Sequence, residues 1–235
     1  MRIIKLFLFL ISMSMTFETK IVKPIRSYII DCIEPSDLSY DSYDNSFYCV
    51  SDEGYIFHYN FEGQTIRSKE LDLRDIESIY VDSKFIYVVD ERTRQVVILD
   101  KLNFKELNRK VVNYFGGANK GYEGITFNPK KDKWLLITEK SPVIIFELNL
   151  KFEIENIIYE PIGITEASSI TYYNDYLWIL GDEDRTVSML DPDTYLIEKK
   201  WIVDVPTPEG IAFVNGRLYL VSDNFNTMYR MDKLY

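Results

Sequence analysis

Histidine is almost missing from this chain: His58 is the single one among 235 residues. A pair of imidazoles working as acid and base is therefore excluded, and so is a Cys/His metal cluster. His58 itself falls in the alternating stretch Tyr55 to Asn60, where a lone histidine is more often packed or solvated than catalytic. Cysteine is nearly as scarce, with only Cys32 and Cys49. The two are free to pair in an exported protein. Against pairing, Cys49 falls in an expected core strand, free Cys is commonly buried, and disulfide geometry is strict. Neither a Gly-x-Ser-x-Gly nucleophile elbow nor a phosphate-binding glycine loop occurs. Basic residues are outnumbered, 27 Lys and Arg against 37 Asp and Glu, for a formal charge of −10. Nucleic acid and anionic membranes are thus poor partners, because neither has counterions to release to an acidic surface. Cations, cationic ligands and proteins suit the charge better, and the partner is expected to be an unknown protein or small molecule.

Long apolar runs are also absent. The most apolar segment, Leu6 to Ile11, is too short to span a bilayer as a helix. It follows Arg2 and Lys5 and precedes Ser12-Met13-Ser14-Met15, the order of an export signal over residues 1–14. A buried first strand is the alternative, although the run lacks polar alternation. No Ala marks a cleavage site, and no Cys follows to carry a lipid anchor. Loss of Arg2 and Lys5 would leave the mature chain at −12, in the periplasm or secreted.

What the chain does have is a repeat. Its clearest copy is Lys120 to Lys140, in which Glu-Gly opens a short alternating strand, followed by a polar turn, an apolar strand and a second acid. The copies begin at Ser36-Asp37-Leu38, Glu77-Ser78-Ile79, Glu123-Gly124-Ile125, Ser168-Ser169-Ile170 and Glu209-Gly210-Ile211, at steps of 41, 46, 45 and 41 residues. With 46% hydrophobic residues, 18 Tyr and 14 Phe, side chains that pack on a pleated surface dominate. The expectation is an all-β chain. Each copy supports four strands; in the third they are Gly124 to Asn128, Lys133 to Thr138, Pro142 to Leu148 and Phe152 to Tyr159. Four antiparallel strands in a 40- to 45-residue period are a propeller blade. Residues 20–235 thus predict one five-bladed β-propeller, with blades near 34–72, 73–112, 119–160, 166–203 and 207–232. A β-sandwich has no reason to repeat one acid five times. The fifth copy ends after three strands, and Lys20 to Ile30, read as one strand, is the donor that completes it and closes the ring.

The first strand of a blade lines the central channel, so Ser36, Glu77, Glu123, Ser168 and Glu209 form a ring around the axis. At separations near 6 Å and an effective dielectric of about 20, each pair of these carboxylates would repel by roughly 3 kcal/mol. Raised pKa values or a bound cation could offset that. With only carboxylate and hydroxyl oxygens to offer, Glu77, Glu123 and Glu209 select a hard ion, Ca²⁺ ahead of Mg²⁺. Waters and Lys or Arg partners are the alternative filling. A second ring, Asp52, Glu91, Glu139, Asp182 and Asp223, falls one residue beyond the apolar strand of every copy. Arg92 and Lys140 beside it suggest salt bridges, and a carboxylate after a strand commonly caps the next turn. These acids, with Ser36 and Ser168, rank second as site positions.

Gly121-Tyr122-Glu123-Gly124-Ile125, Val89-Asp90-Glu91-Arg92, Thr138-Glu139-Lys140-Ser141-Pro142 and Pro208-Glu209-Gly210-Ile211-Ala212 resemble the motifs of the SdiA-regulated (YjiK-like) proteins. The resemblance runs from about Tyr28 to Asp232. It implies a five-bladed propeller distantly similar to NHL-repeat propellers, with a bound calcium ion at Glu77, Glu123 and Glu209 and no established activity. Members often carry an N-terminal membrane anchor, whereas the lead here is short. The expected function is an exported calcium-binding module that is not an enzyme. The alternative is a Ca²⁺-dependent hydrolase, lactonase- or phosphoesterase-like, using the channel carboxylates as base.

Overall fold

The computed structural model describes residues 20–114, 121–159, 161 and 163–234; the expected export signal lies outside the described residues. Twenty-one strands follow in chain order. The first two are β1 (Lys20–Val22) and β2 (Pro24–Ile29). The first blade holds β3 (Pro35–Asp41), β4 (Ser46–Ser51), β5 (Tyr55–Tyr59) and β6 (Thr65–Glu70). The second holds β7 (Ile76–Val81), β8 (Phe85–Asp90), β9 (Gln95–Asp100) and β10 (Glu106–Val111). The third holds β11 (Tyr122–Asn128), β12 (Lys133–Thr138), β13 (Ile144–Leu148) and β14 (Ile154–Tyr159). The fourth holds β15 (Ser169–Tyr173), β16 (Tyr176–Gly181), β17 (Thr186–Leu190) and β18 (Ile197–Val203). The last has β19 (Pro208–Val214), β20 (Arg217–Ser222) and β21 (Thr227–Met231), completed by β2. The architecture is the expected five-bladed all-β propeller.

The residue pattern of each strand follows from its place in the blade. The second strands, such as β4 (SFYCVS) and β12 (KWLLIT), are apolar almost throughout because both faces pack against a neighbouring blade. The outermost strands, such as β10 (ELNRKV), are charged and largely exposed, which blunts their unpaired edges. The core is accordingly divided into five apolar layers, one between each pair of adjacent blades. The layer joining the last blade to the first, with Leu38, Phe47, Val221 and Met228, is as dry as the others. Each large aliphatic or aromatic side chain so buried contributes about 1.5–3 kcal/mol.

Closure differs in one respect from the single strand expected over Lys20 to Ile30. The segment is two strands on two blades. Strand β2 pairs antiparallel with β21, from Pro24 opposite Met231 to Ile29 opposite Thr227. Strand β1 instead runs parallel to β18, Lys20 opposite Trp201 and Val22 opposite Val203, as a fifth strand on the fourth blade. The break follows from packing. Val22 is buried between the fourth and fifth blades, beside Trp201 and Met231, and Pro24, with no N–H to give, takes the first position of β2. The amino-terminal segment therefore stitches two blades together.

Among the described residues no helix is long and apolar enough to cross a membrane. His58 lies in β5, remote from the axis, stacked 4.2 Å from the Tyr48 ring, with Nε2 2.7 Å from the Ser46 hydroxyl.

Candidate functional site

The inner strands β3, β7, β11, β15 and β19 stand around the axis, and four of them share a defect at their start. Pairing with the next strand skips one residue between Pro35 and Asp37, Ile76 and Ser78, Tyr122 and Gly124, and Pro208 and Gly210. The skipped residues are Ser36, Glu77, Glu123 and Glu209. A bulge frees one residue from the ladder and re-aims its side chain, and here it carries the ring positions. Each second strand ends immediately before Asp52, Glu91, Glu139, Asp182 or Asp223, so the second ring stands at the same end of the channel.

A cavity of about 140 Å³ opens at that end, lined by Glu34, Pro35, Ser36, Asp52, Glu77, Glu209 and Asp223. No Lys, Arg or His is in the lining. Burial is the main force on these carboxyls, and neighbouring acids add to it. Glu77 is pushed up to about 8, by burial and then by Asp52, Asp75, Glu91 and Glu139. Glu209 rises to about 9, by burial and then by Asp182, Asp223, Glu77 and Glu166. Glu123 is held well above the ordinary carboxylate value by burial and then by Glu77, Glu91, Glu139 and Glu209. Asp52 is raised to about 6, and Asp223 is raised as well, again chiefly by burial. The anticipated repulsion is thus present, and several carboxyls hold a proton at neutral pH when nothing else balances them.

Among the described residues, Asp75, Glu77 and Glu91 form a group of acids that could hold a metal ion, with one carboxylate oxygen of each lying within 4.8 Å of the others. Of the three glutamates expected as ligands, only Glu77 is in it; Glu123 and Glu209 are electrostatic neighbours. Glu91 comes from the second ring, and Asp75 was not singled out in the sequence. Its place is recognisable afterwards. Glu34, Asp75, Gly121, Glu166 and Thr207 each stand two residues before a ring position, and three of the five are acids. Glu166, also overlooked, is buried, accepts the backbone N–H groups of Asp182 and Glu183 at 3.2 and 3.3 Å, and is raised to about 8, first by burial and then by Asp182.

Three second-tier positions, Glu91, Glu139 and Ser168, also make contacts that hold the fold. Glu91 accepts the N–H of Gly121 at 2.8 Å, thirty residues away, so it caps the entry to the next blade and not its own turn. Glu139 pairs with Lys140 at 2.6 Å, as the neighbouring basic residue suggested, while Arg92 pairs with Asp75 at 2.7 Å. The Ser168 hydroxyl donates to the Pro208 carbonyl at 3.2 Å.

One channel residue escaped the sequence reading altogether. Asp37, fully buried one position after Ser36, accepts from the Ser78 hydroxyl (2.5 Å), the Ser169 hydroxyl (2.8 Å) and the N–H groups of Leu38 (2.8 Å) and Ile79 (3.0 Å). It joins the first blade to the second and, across the axis, to the fourth. Burial lifts it to about 7 against the pull of those hydrogen bonds. The equivalent positions in the third and fifth blades are Gly124 and Gly210. A Cβ on Gly210 would stand 2.5 Å from the Leu38 nitrogen and 2.7 Å from the Asp37 Cα, so glycine is what lets the adjacent backbone in. Asp37 is the floor of the acidic mouth.

Crowded oxygen donors are what a hard divalent ion requires, and the Arg92 guanidinium paired with Asp75 at 2.7 Å offsets part of the charge of this cluster. Asp75, Glu77 and Glu91 fit such an ion, with Glu123 and Glu209 adding negative potential.

These features belong to a protein class. The sequence matches the SdiA-regulated family over residues 13–232, and the chain belongs to that family. Solved structures give the same fold. Glutaminyl cyclase of Myxococcus xanthus is 12% identical with a TM-score of 0.74, over 92% of this chain and 98% of that one. The Cps50 (Swd1) β-propeller domain of Myceliophteria thermophila is 9% identical with a TM-score of 0.58, over 89% of this chain and 99% of that one. A chain in a nidogen/laminin complex is 16% identical with a TM-score of 0.57, over 80% and 72%. At these identities the likeness is one of fold.

Proposed function

We propose that this propeller is an exported calcium-binding module whose acidic channel mouth takes the ion and whose loops engage a protein or small-molecule partner, without turnover. The observation that carries the calcium site is the approach of Asp75, Glu77 and Glu91 oxygens to within 4.8 Å of one another, next to a cavity lined by acids and no base. Ca²⁺ suits them better than Mg²⁺, which keeps more of its water and demands stricter geometry. Export rests on the basic-apolar-small order of residues 1–14. Metal analysis and calcium titration of the purified protein test the site directly. Stoichiometric binding that is lost in Glu77→Gln is expected, and protein that neither retains nor binds Ca²⁺ overturns it. Recovery of the chain from the cytosol with its first fourteen residues intact would overturn export.

A second function is favoured by one observation: Glu77 and Glu209 are raised to about 8 and 9, a range in which a carboxyl can serve as general acid or base near neutrality. A Ca²⁺-dependent hydrolase would use Glu123 or a neighbour in that role. Turnover of lactones, aryl esters or phosphoesters that vanishes with chelator and in Glu123→Gln would establish it in place of the non-catalytic module.

A further inference from the structure

The chain's two cysteines meet at the seam where the ring closes. Cys32 lies in the short link between β2, which completes the last blade, and β3, which opens the first; Cys49 is in β4. Both are fully buried, and their Sγ atoms are 3.7 Å apart. They sit in the apolar layer between the first and last blades, with Leu38, Phe47, Tyr219 and Met228. Both sulfurs lie near the same acceptor, the Val50 carbonyl, at 3.7 and 3.6 Å. Packing alone accounts for two buried thiols, but not for the only two in the chain being in contact.

We propose that Cys32 and Cys49 form a disulfide that fixes the hinge from which the closing strand leaves the first blade. The bond needs an S–S distance of about 2.0 Å, so the sulfurs must approach by about 1.7 Å, through rotation of the two side chains. Each thiol gives up one proton and one electron. A small-molecule disulfide takes the two protons and two electrons of the pair and is released as two thiols, by way of a mixed disulfide. The thiolate is the attacking species, and burial together with the adjacent Cys32 raises the Cys49 thiol well above its ordinary value. Exchange therefore takes place before the last blade docks, and the folded reduced ring resists it. Once formed, the link holds residues 30–32 against the first blade, so that β2 is presented for pairing with β21. The bond persists in an oxidising compartment, in keeping with export, and does not depend on the cation site.

The test is to refold the reduced, denatured full chain in a glutathione redox buffer and, in parallel, under strong reductant. Denaturing alkylation with iodoacetamide and intact-mass measurement follow. After oxidative refolding the expected product is a monomer that takes up no label and is lighter by two hydrogens, with Cys32 and Cys49 joined in the peptide map. It should melt roughly 5–10 °C above the reduced form, a difference erased by reductant and absent from Cys49→Ala and from Cys32→Ala. Two labelled thiols after oxidative refolding, disulfide-linked dimers, or an oxidised monomer melting at or below the reduced one would each overturn the proposal. The wild-type comparison decides the matter even if neither variant folds.

Discussion

The two ends of the channel are made by the same five inner strands, yet one is under electrostatic load and the other is not. At the strand starts, bulged residues and second-strand acids crowd carboxyls around a cavity of about 140 Å³. At the strand ends the channel widens to a mouth of about 700 Å³ lined by Tyr40, Tyr43, Tyr80, Tyr172 and Tyr173, with Asp82 as the single acid of the lining. Tyrosine there satisfies itself: Tyr40 donates to Asn45 at 2.8 Å, and Tyr173 stacks 4.7 Å from Phe213 and accepts from Gly216 at 2.7 Å. The contrast arises because a bulge displaces one residue at a strand start, while the regular ladder beyond it returns alternate side chains to the blade interfaces. Asp37 and its serine partners stand between the two.

Breaking that floor should have the largest effect. Asp37→Leu strands the hydroxyls of Ser78 and Ser169 and the N–H of Ile79 in a dry interior. Unsatisfied buried groups cost about 1–3 kcal/mol each, so a loss of roughly 3–5 kcal/mol in a denaturant titration is expected. Asp37→Asn, which keeps acceptors, should lose much less. Equal losses in the two variants would mean that shape, and not hydrogen bonding, holds the floor.

Chelation comes next. Ca²⁺ at 100 times its dissociation constant should stabilise the ring by about 2.7 kcal/mol, read as a higher melting temperature in calcium than in chelator. The gain should disappear in Glu77→Gln, and it should survive any change at the tyrosine mouth. An unchanged melting temperature in chelator would count against a structural ion.

Acidity separates the ends in the metal-free protein. Glu77, Glu166 and Glu209 have folded-state values of about 8, 8 and 9 against an ordinary 4.5, so folding takes up protons. Their contribution is complete below about pH 4.5 and is lost as pH rises through about 8 to 9. Melting temperature in chelator should therefore fall by several degrees between mildly acidic and alkaline buffer. Calcium, which balances the ionised form, should flatten the profile. A metal-free protein more stable at pH 9 than at pH 5 would contradict the burial of these carboxyls.

Much of this was legible in the residues, and the division is physical. Repetition at 41 to 46 residues exposes blade number and the acid columns, because every blade meets the same neighbours. The short fifth copy calls for a closing strand, and β2 is that strand. What does not repeat is harder to see. Asp37 occurs once, in a column otherwise filled by Ser and Gly, and its partners are on blades that only the closed ring brings together. Strand β1 leaves for a different blade because Val22 fits beside Trp201, a tertiary preference with no local signature. Asp75 and Glu166 lie in a column that holds an acid in only three copies of five, and the closeness of Asp75 to Glu91 comes from the turn at the blade entry, where Asp75 adopts φ 66°.

The smallest effect is expected at the tyrosine mouth, and it is the sharpest check on whether the two ends are independent. Tyr43 is 73% exposed, and the Lys101 ammonium lies 5.6 Å over its ring. That ammonium also pairs with Asp41 beneath it, so losing the ring forfeits only an exposed cation–π contact, about 0.5–1 kcal/mol. Tyr43→Ser should shift denaturant stability by no more than that and should leave calcium affinity, measured by titration calorimetry, unaltered. The Asp37 network stands between the mouths, and independence of the two ends is the expected outcome. A several-fold change in calcium affinity on Tyr43→Ser would mean the floor transmits between the ends, and the channel would then have to be treated as one site.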